Sequence, residues 1–439
     1  MIVVFCKYYN DLDQIVPVVY ALARHGRKDI EMVLLDPAYD LESDFRIAYL
    51  KREFDIAVSY YHKDCCAGRL KPFLLMDVIY GPVGIFLMGA LVQLGHLGGA
   101  KIQKKIETRV RRFPGKLARK WYGTDYAKCF LKKRKVSVIV SDNRPRPVQL
   151  YKMAKAMGIP VVGIPHGMNT AADNAVSSRQ IALKQSGAKP SFPHDLYHVF
   201  ATQYNLEKER YIEQKTPSDK VQVLGSTRYC PEWRNVYKTI LPPAIICDAT
   251  PNKRNLRVVF MDHSTKYQMQ ADEIVRNIKA ILDLDFVDFV LKPSTGKMTT
   301  KLKPDSDHAT QEILGICRLA SQEHSYNLIE WADVVMIAHS SILLEVLLQG
   351  KTFLYPKHFT ELTGLFEEYE ACWQVNSQEE LIEALYKSHE NPQYRPYSQK
   401  AVEDMCEMMV FGHQANRDVL GDHRDLILAA EQNITQNAG

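Results

Sequence analysis

The chain has 439 residues, of which 46% are hydrophobic and 24% are charged. A chain of this length is longer than one hydrophobic core ordinarily accommodates, which predicts two or three packed domains. The composition excludes a disordered or fibrous protein. The 56 lysines and arginines against 51 aspartates and glutamates leave a net charge of only +5, which does not indicate a nucleic-acid partner. Nine scattered cysteines without a CxxC pair and an opening that does not look like a signal peptide predict reduced thiols in a cytoplasmic protein.

The first half of the chain alternates strand and helix patterns from its beginning. Apolar runs at 2–6 and 31–36 flank a helical pattern over 12–23, which is a β-α-β arrangement. The pattern recurs later, with predicted strands at 136–141, 159–164, 197–201 and 221–225 and a predicted helix at 148–157. Such alternation predicts a parallel sheet covered by helices on both faces.

An unusual segment, residues 74–135, interrupts this series. Its first part, 74–99, is largely apolar but is broken by Asp77, Pro82 and six glycines, so we do not expect it to span a membrane. Its second part, 101–135, carries 14 basic side chains against two acidic ones. Two interpretations remain open, a peripheral contact with an anionic membrane and a buried helix followed by a solvated basic face.

A second alternating series follows a proline-containing stretch between Tyr229 and Leu256. We therefore predict an N-terminal domain over 1–235, a C-terminal domain over 236–400 and a final helix within 401–439 that packs back on the first domain. Strands are predicted at 257–261, 288–291, 333–338 and 352–355. Neither half contains GxGxxG or GxxxxGK[ST], which argues against dinucleotide binding and P-loop chemistry.

The loops that follow the strands of the first domain offer candidate site residues, because parallel sheets bind ligands beyond the carboxyl ends of their strands. His166 can titrate near neutrality and accept a proton from a hydroxyl group, and Asp142 is a reserve candidate for the same role. The remaining candidates for an acceptor site or cleft are Arg144, Arg146, Gly167, Gly225, Ser226 and Arg228. The structural alternative is that these residues cap helices or form turns.

The second domain offers hydroxyl, imidazole and ammonium groups after its predicted strands. The candidate binding residues of this domain are His263, Ser264, Lys292, Pro293, Ser294, His339, Ser340, Ser341 and Glu345. Paired serines at the start of a helix, with its free N–H groups, predict an anion site. Plain helix capping by Ser340 or Ser341 is the alternative.

These loops together resemble the GT-B class of bacterial surface-polysaccharide transferases, which includes Kdo transferases, bacterial sialyltransferases and the polyol-phosphate transferases of teichoic acid synthesis. The resemblance covers most of the chain, and it rests on four motifs, GIPVVGIPHG (158–167), VLGSTRY (223–229), VLKPSTG (290–296) and ADVVMIAHSSILLEVLLQGK (332–351). It implies an α/β protein of GT-B type, with two Rossmann-like domains whose parallel sheets face each other across a cleft. The chain departs from these families at Lys292-Pro293, where they have a His-Pro pair.

The resemblance also implies an activity. It implies an inverting, metal-independent glycosyltransferase without a cofactor, which moves a sugar from a nucleotide donor, most simply CMP-activated Kdo or a sialic-acid-like sugar, to a lipid-linked or growing surface glycan such as lipopolysaccharide or capsule. His166 would be the base on the acceptor side, and the second domain would hold the donor phosphate. The location implied is the cytoplasm or the inner face of the cell membrane.

Other functions remain open. A UDP-N-acetylglucosamine 2-epimerase has the same architecture, and a non-catalytic scaffold of polysaccharide assembly would fit a lost activity at Lys292. Nucleic-acid binding is not expected, because the basic run over 101–135 has few interleaved aromatic residues and no recognised reader motif.

Overall fold

A computed structural model describes residues 1–36, 40–61, 124–143, 147–172, 194–248, 255–262, 269–293, 315–338 and 340–437. Several predicted features lie outside these ranges, namely most of the segment 74–135 and the residues Arg144, Arg146, His263, Ser264, Ser294 and His339.

The first domain is built on a seven-stranded sheet in which every neighbouring pair of strands is parallel. Its strands are β1 (Ile2–Cys6), β2 (Ile30–Leu34), β3 (Ala57–Tyr60), β4 (Val138–Asp142), β5 (Val161–Ile164), β6 (Val199–Thr202) and β7 (Val221–Val223), in the order β3-β2-β1-β4-β5-β6-β7. Its helices are α1 (Tyr9–Arg24), α2 (Phe45–Phe54), α3 (Thr124–Lys133), α4 (Val148–Ala156), α5 (Asn205–Glu213) and α6 (Pro231–Ile240). All residues of β1 and β4 are buried, as expected of central strands covered on both faces.

The second domain is built on a six-stranded sheet that is also parallel throughout. Its strands are β8 (Leu256–Met261), β9 (Val287–Lys292), β10 (Arg318–Leu319), β11 (Val334–Met336), β12 (Thr352–Pro356) and β13 (Trp373–Val375), in the order β10-β9-β8-β11-β12-β13. Its helices are α7 (Ala271–Leu282), α8 (Ser325–Trp331), α9 (Leu343–Leu348), α10 (Leu365–Glu368) and α11 (Gln378–Glu390). Helices α12 (Gln399–Phe411) and α13 (Val419–Asn437) complete the chain.

Both sheets reverse their strand order at one place. In the first sheet the reversal lies between β1 and β4, and in the second it lies between β8 and β11. The loops that leave the carboxyl ends of the two strands at such a point diverge in opposite directions and leave a crevice where ligands of open α/β sheets bind. The fold therefore directs attention to the residues that follow β1 and β4.

The end of the chain returns to the first domain. Helix α13 packs against α1, β4 and β5, and the Glu431 carboxylate accepts hydrogen bonds from Arg27, at 2.6 Å, and from Ser137. The end of α12 also contacts the first domain, since the Ser226 backbone N–H donates to the Val410 carbonyl at 2.8 Å. The predicted domain boundary after residue 235 falls inside α6, whose side chains contact both domains: Trp233 packs on Tyr20, with ring centroids 5.5 Å apart.

Two further sequence expectations concern the membrane and the cysteines. Among the residues that the structure describes, no helix has both the length and the apolar character needed to cross a bilayer. Six cysteines of this part of the chain, at positions 6, 230, 247, 317, 372 and 406, are free thiols.

Candidate active site

Three side chains meet at the carboxyl edge of the first sheet, at the reversal of strand order. Asp11 lies in the first turn of α1, just after β1, Asp142 is the last residue of β4, and His166 follows β5. The His166 Nδ1 atom lies 2.7 Å from Oδ1 of Asp11 and 3.1 Å from Oδ2 of Asp142. Because β1, β4 and β5 are adjacent, residues far apart in the chain form one cluster here.

Asp11 has two structural contacts in addition to the one with His166. Its Oδ2 atom accepts hydrogen bonds from the backbone N–H groups of Lys7, at 2.7 Å, and Tyr8, at 2.9 Å, which caps the first turn of α1. Only 1% of Asp11 is exposed. The cap fixes the direction of the carboxylate, so that its other oxygen points at the imidazole.

His166 is suited to accept a proton. An Nδ1–H group that donates to a carboxylate fixes the tautomer in which Nε2 carries the lone pair, and the carboxylate stabilises the imidazolium that forms when Nε2 takes up a proton. The His166 side chain is 16% exposed, and the Tyr8 ring stands nearly perpendicular to it, with centroids 6.1 Å apart. The cluster thus has the parts of a general base with supporting acids.

The same three side chains are the group that could hold a metal ion within the described part of the chain. Asp11, Asp142 and His166 each offer one ligand atom, and these atoms lie within 4.8 Å of one another. The distances between Nδ1 and the two carboxylates are those of ion pairs with an imidazolium, and because a single N–H group cannot satisfy two carboxylates, the donor set also fits a cation.

The other described candidates of the first domain have packing roles. Gly225 adopts a φ of +84°, and a Cβ atom there would collide with the Val410 carbonyl. Ser226 is fully buried beside it, and the Gly167 carbonyl accepts a hydrogen bond from Gln203 at 3.2 Å. Gly225 and Ser226 are thus packed against the end of α12, whereas Gly167 is exposed beside His166.

Arg228 belongs to a charged cluster between α1, α2 and α6. Its guanidinium lies 2.6 Å from Oδ2 of Asp13. Asp13 also forms an ion pair with Arg46, and the Arg46 Nε atom lies 2.8 Å from Oδ1 of Asp44. This cluster continues to the second domain through the Tyr237 hydroxyl, 3.0 Å from the His324 Nε2 atom. Sequence reasoning found only Arg228 of this group.

Lys292, at the end of β9, does not present its ammonium group to an open site. Its Nζ atom donates to the carbonyl oxygens of Ala320, at 3.1 Å, Ser321, at 3.2 Å, and Glu323, at 2.7 Å, and the residue is 5% exposed. Burial lowers the pKa of Lys292 to about 8. The ammonium group donates to three backbone carbonyls, so a donor phosphate would have to replace at least one of these contacts.

The loop between β11 and α9 places the remaining candidates near the domain interface. Ser340 Oγ accepts a hydrogen bond from the Ile342 N–H group at 3.4 Å, and the Ser341 carbonyl accepts one from the Tyr229 hydroxyl at 2.7 Å. Glu345 pairs with Arg234 of α6 at 3.2 Å. Pro293 follows β9 directly. Ser341 and Glu345 thus contact the first domain, a role that the sequence does not predict.

No protein-family model matches the sequence, and no curated protein sequence matches it either. Solved structures are similar in fold at low identity. The UDP-GlcNAc 2-epimerase of Neisseria meningitidis bound to UDP-GlcNAc is 12% identical, with a TM-score of 0.52 over 98% of this chain and 99% of that one. The UDP-N-acetylglucosamine 2-epimerase of Rickettsia bellii is 11% identical, with a TM-score of 0.51 over 99% and 98% of the two chains.

A third similar structure is Alr3699/HepE of Anabaena in complex with UDP and glucose, 11% identical, with a TM-score of 0.50 over 100% of this chain and 98% of that one. These likenesses extend over both domains and agree with the two parallel sheets described above. At 11 to 12% identity these likenesses show the fold alone, and they do not support the narrower resemblance to Kdo transferases, sialyltransferases or teichoic-acid enzymes. The chain therefore has the predicted GT-B fold, with two Rossmann-like domains.

Proposed function

We propose that the protein is a glycosyltransferase that uses a nucleotide-activated sugar, with His166 as the base on the acceptor side. The observation that carries this proposal is the contact of His166 Nδ1 with the two carboxylates, Asp11 and Asp142, at the reversal of strand order. A base with a fixed tautomer at a ligand-binding crevice is what the activation of a hydroxyl nucleophile requires.

The proposed reaction is a single displacement at the anomeric carbon. The acceptor hydroxyl oxygen forms the new bond to that carbon while its proton passes to Nε2 of His166. The bond between the anomeric carbon and the phosphate oxygen breaks, and the nucleotide leaves with the electron pair. One attack from the face opposite the leaving group inverts the anomeric configuration. Asp11 and Asp142 stabilise the imidazolium during this step.

The donor and the acceptor are part of the proposal. The similar Neisseria structure is bound to UDP-GlcNAc and the Anabaena structure is in complex with UDP and glucose, which favours a UDP-sugar as the first donor to test. A CMP-activated Kdo or sialic-acid-like sugar, which the sequence motifs suggest, is the second. A lipid-linked or growing surface glycan at the inner face of the membrane remains the proposed acceptor, because of the basic excess within 74–135.

A second candidate function is epimerisation of a UDP-sugar. The two epimerases among the similar structures each cover nearly the whole chain, and the same cluster could take a proton from a sugar carbon instead of a hydroxyl. The two functions differ in one observable: an epimerase incorporates solvent deuterium into the sugar, whereas a transferase does not.

The test begins with calorimetric binding of UDP, UDP-GlcNAc, CMP and GDP to the purified protein. The sugar donor that contains the bound nucleotide is then supplied in D₂O together with mono- and oligosaccharide acceptors. The reaction is measured for the wild type and for His166→Gln. His198→Gln is the matched control, because His198 is exposed at the start of β6 on the opposite edge of the sheet.

The proposal predicts transfer to an acceptor with inversion and no deuterium in the sugar, abolished by His166→Gln alone. Deuterium incorporation without transfer would identify the epimerase. A protein that binds none of the four nucleotides would rule out both enzyme functions and favour the scaffold.

A further inference from the structure

The loop that carries His166 is a segment without regular structure, residues 165–172, directly after β5. Groups of the first domain hold one side of it. Tyr204 donates its hydroxyl hydrogen to the Asn169 carbonyl, and Arg210 donates to the carbonyls of Ala171, at 2.6 Å, and Ala172, at 2.9 Å. Since the loop has no secondary structure of its own, such contacts determine its conformation.

The second domain holds the other side of the same loop. The Leu365 N–H group donates to the Thr170 carbonyl at 2.8 Å, and the Ala172 N–H group donates to the Thr363 carbonyl at 2.9 Å. Ala171 and Gly364 face each other between these bonds as an antiparallel bridge. Two backbone hydrogen bonds therefore join the loop of the base to the other domain, four and six residues beyond His166.

The partner segment, 360–365, is itself fixed to the second domain. The Leu362 carbonyl accepts hydrogen bonds from the Tyr355 hydroxyl, at 3.0 Å, and from Lys357 Nζ, at 2.9 Å. The Gly364 N–H group donates to Glu367 Oε1 at 2.7 Å. This segment follows the carboxyl end of β12, so it moves with the second sheet as one unit.

From these contacts we infer that the segment Thr363–Leu365 of the second domain positions His166, so that the base is correctly placed only when the two domains are docked. Thr170 and Ala171 are each 4% exposed, and Leu365 is 3% exposed, so the contact excludes water. Breaking a buried backbone hydrogen bond is costly, because water cannot reach the donor and the acceptor to replace it. The expected effect on catalysis rests on the proposed function, whereas the positioning of His166 by the second domain does not depend on it.

Leu365 offers a pair of substitutions that both shorten its buried side chain and differ from each other in one of these bonds. It is the first residue of α10, where proline is well accepted because the helix does not use that N–H group. Gly364 before it is extended, with φ −96° and ψ 150°, as a residue preceding proline must be. Leu365→Pro therefore removes the bond to Thr170, whereas Leu365→Ala loses the same side chain but keeps the N–H group.

The experiment compares these two variants by NMR of isotope-labelled histidine, with the His166 ring signals assigned through His166→Gln, across a pH series. Release of UDP from UDP-GlcNAc is measured on the same samples. We expect the His166 signals and their pH dependence to change in Leu365→Pro but not in Leu365→Ala. We also expect kcat to fall between about tenfold and a hundredfold in Leu365→Pro relative to Leu365→Ala, with KM nearly unchanged, because small misplacements of a catalytic group have effects of that size.

Identical ring signals in the two variants would overturn the inference. If the wild type releases no UDP, the proposed function is in question, but the ring signals still decide whether the second domain positions His166. If Leu365→Pro does not fold, the pair Ala172→Pro and Ala172→Ser tests the other hydrogen bond from the opposite side of the interface, with the same criterion.

Discussion

Asp11 contacts His166 with one carboxylate oxygen, at 2.7 Å, and caps the first turn of α1 with the other. One side chain thus fixes both the start of the helix and the orientation of the imidazole. A substitution that keeps the cap but removes the charge separates these two roles.

Asp11→Asn makes that separation. The amide oxygen can still accept the hydrogen bonds of the cap, but a neutral group no longer stabilises an imidazolium and can favour the wrong tautomer. We expect kcat for sugar transfer to fall by about a hundredfold to ten-thousandfold, with nucleotide affinity unchanged. Asp195→Asn is the matched control, since that side chain is 63% exposed. A loss of nucleotide affinity together with kcat would instead place Asp11 in the donor site.

Lys292→Met tests whether this lysine supports the fold or binds a ligand. The substitution leaves the carbonyls of residues 320, 321 and 323 without their buried donor, so we expect the free energy of unfolding to fall by about 2 to 4 kcal/mol. Denaturant unfolding measures it, with the exposed Lys387→Met as control. Unchanged stability combined with weaker nucleotide binding would support the phosphate contact that the sequence motif implies.

His324 links pH to stability. Burial, with a further contribution from the positive charge of Arg46, lowers the pKa of His324 to about 4, and its Nδ1 atom accepts a hydrogen bond from the Tyr326 N–H group at 3.1 Å. Between pH 6.5 and pH 4 the unfolded chain therefore binds a proton that the folded protein does not. The stabilisation is present above pH 6.5 and is lost as the pH falls toward 4.

His324→Asn removes this titration while keeping a side-chain acceptor at the start of α8. Unfolding free energies of both proteins across this pH range should diverge, with the wild type losing about 1 to 3 kcal/mol more on acidification. Two other histidines with a lowered pKa, His358 and His423, are present in both proteins and cancel in the comparison. Parallel curves for the two proteins would contradict the assignment.

Chelation tests whether the reaction depends on a metal. Because His166 Nδ1 lies 2.7 Å and 3.1 Å from oxygens of the two carboxylates, an imidazolium can take the place of a cation in the cluster, and we expect EDTA to leave nucleotide binding and sugar transfer unchanged. The measurement is the transfer rate before and after exhaustive dialysis against the chelator. A loss of activity that added Mn²⁺ or Mg²⁺ restores would instead assign Asp11, Asp142 and His166 to a metal site.

The fold was predictable because its central strands are apolar on both faces. The runs at 136–141 and 257–261 overlap β4 and β8, and their alternation with helical patterns predicts parallel sheets. Peripheral elements were missed. Strand β10 has two residues and β13 has three, too few for any periodicity to appear, and both lie at edges of their sheet, where pairing rather than sequence defines them.

The site was only partly predictable for a different reason. His166 and Asp142 attract attention because each stands at the end of an apolar strand, whereas Asp11 lies inside a helical pattern and looks like an ordinary cap. An acid in the first turn after β1 was the available signal, but its meaning depends on strand order, which places β1 beside β4. Lys292 was assigned to a phosphate from the motif that contains it, and its contacts could not be foreseen because the carbonyls come from a loop about 30 residues later in the chain.

The return of α13 to the first domain has a consequence for biosynthesis. The ribosome delivers β1 to β7 first, yet the helix that packs on α1, β4 and β5 emerges only after the whole second domain has been made. The surface that this helix covers therefore stays open to water, and to other apolar chains, throughout translation of residues 256–418. Completion of the first domain is in this sense a late event, and it coincides with the docking of the two halves.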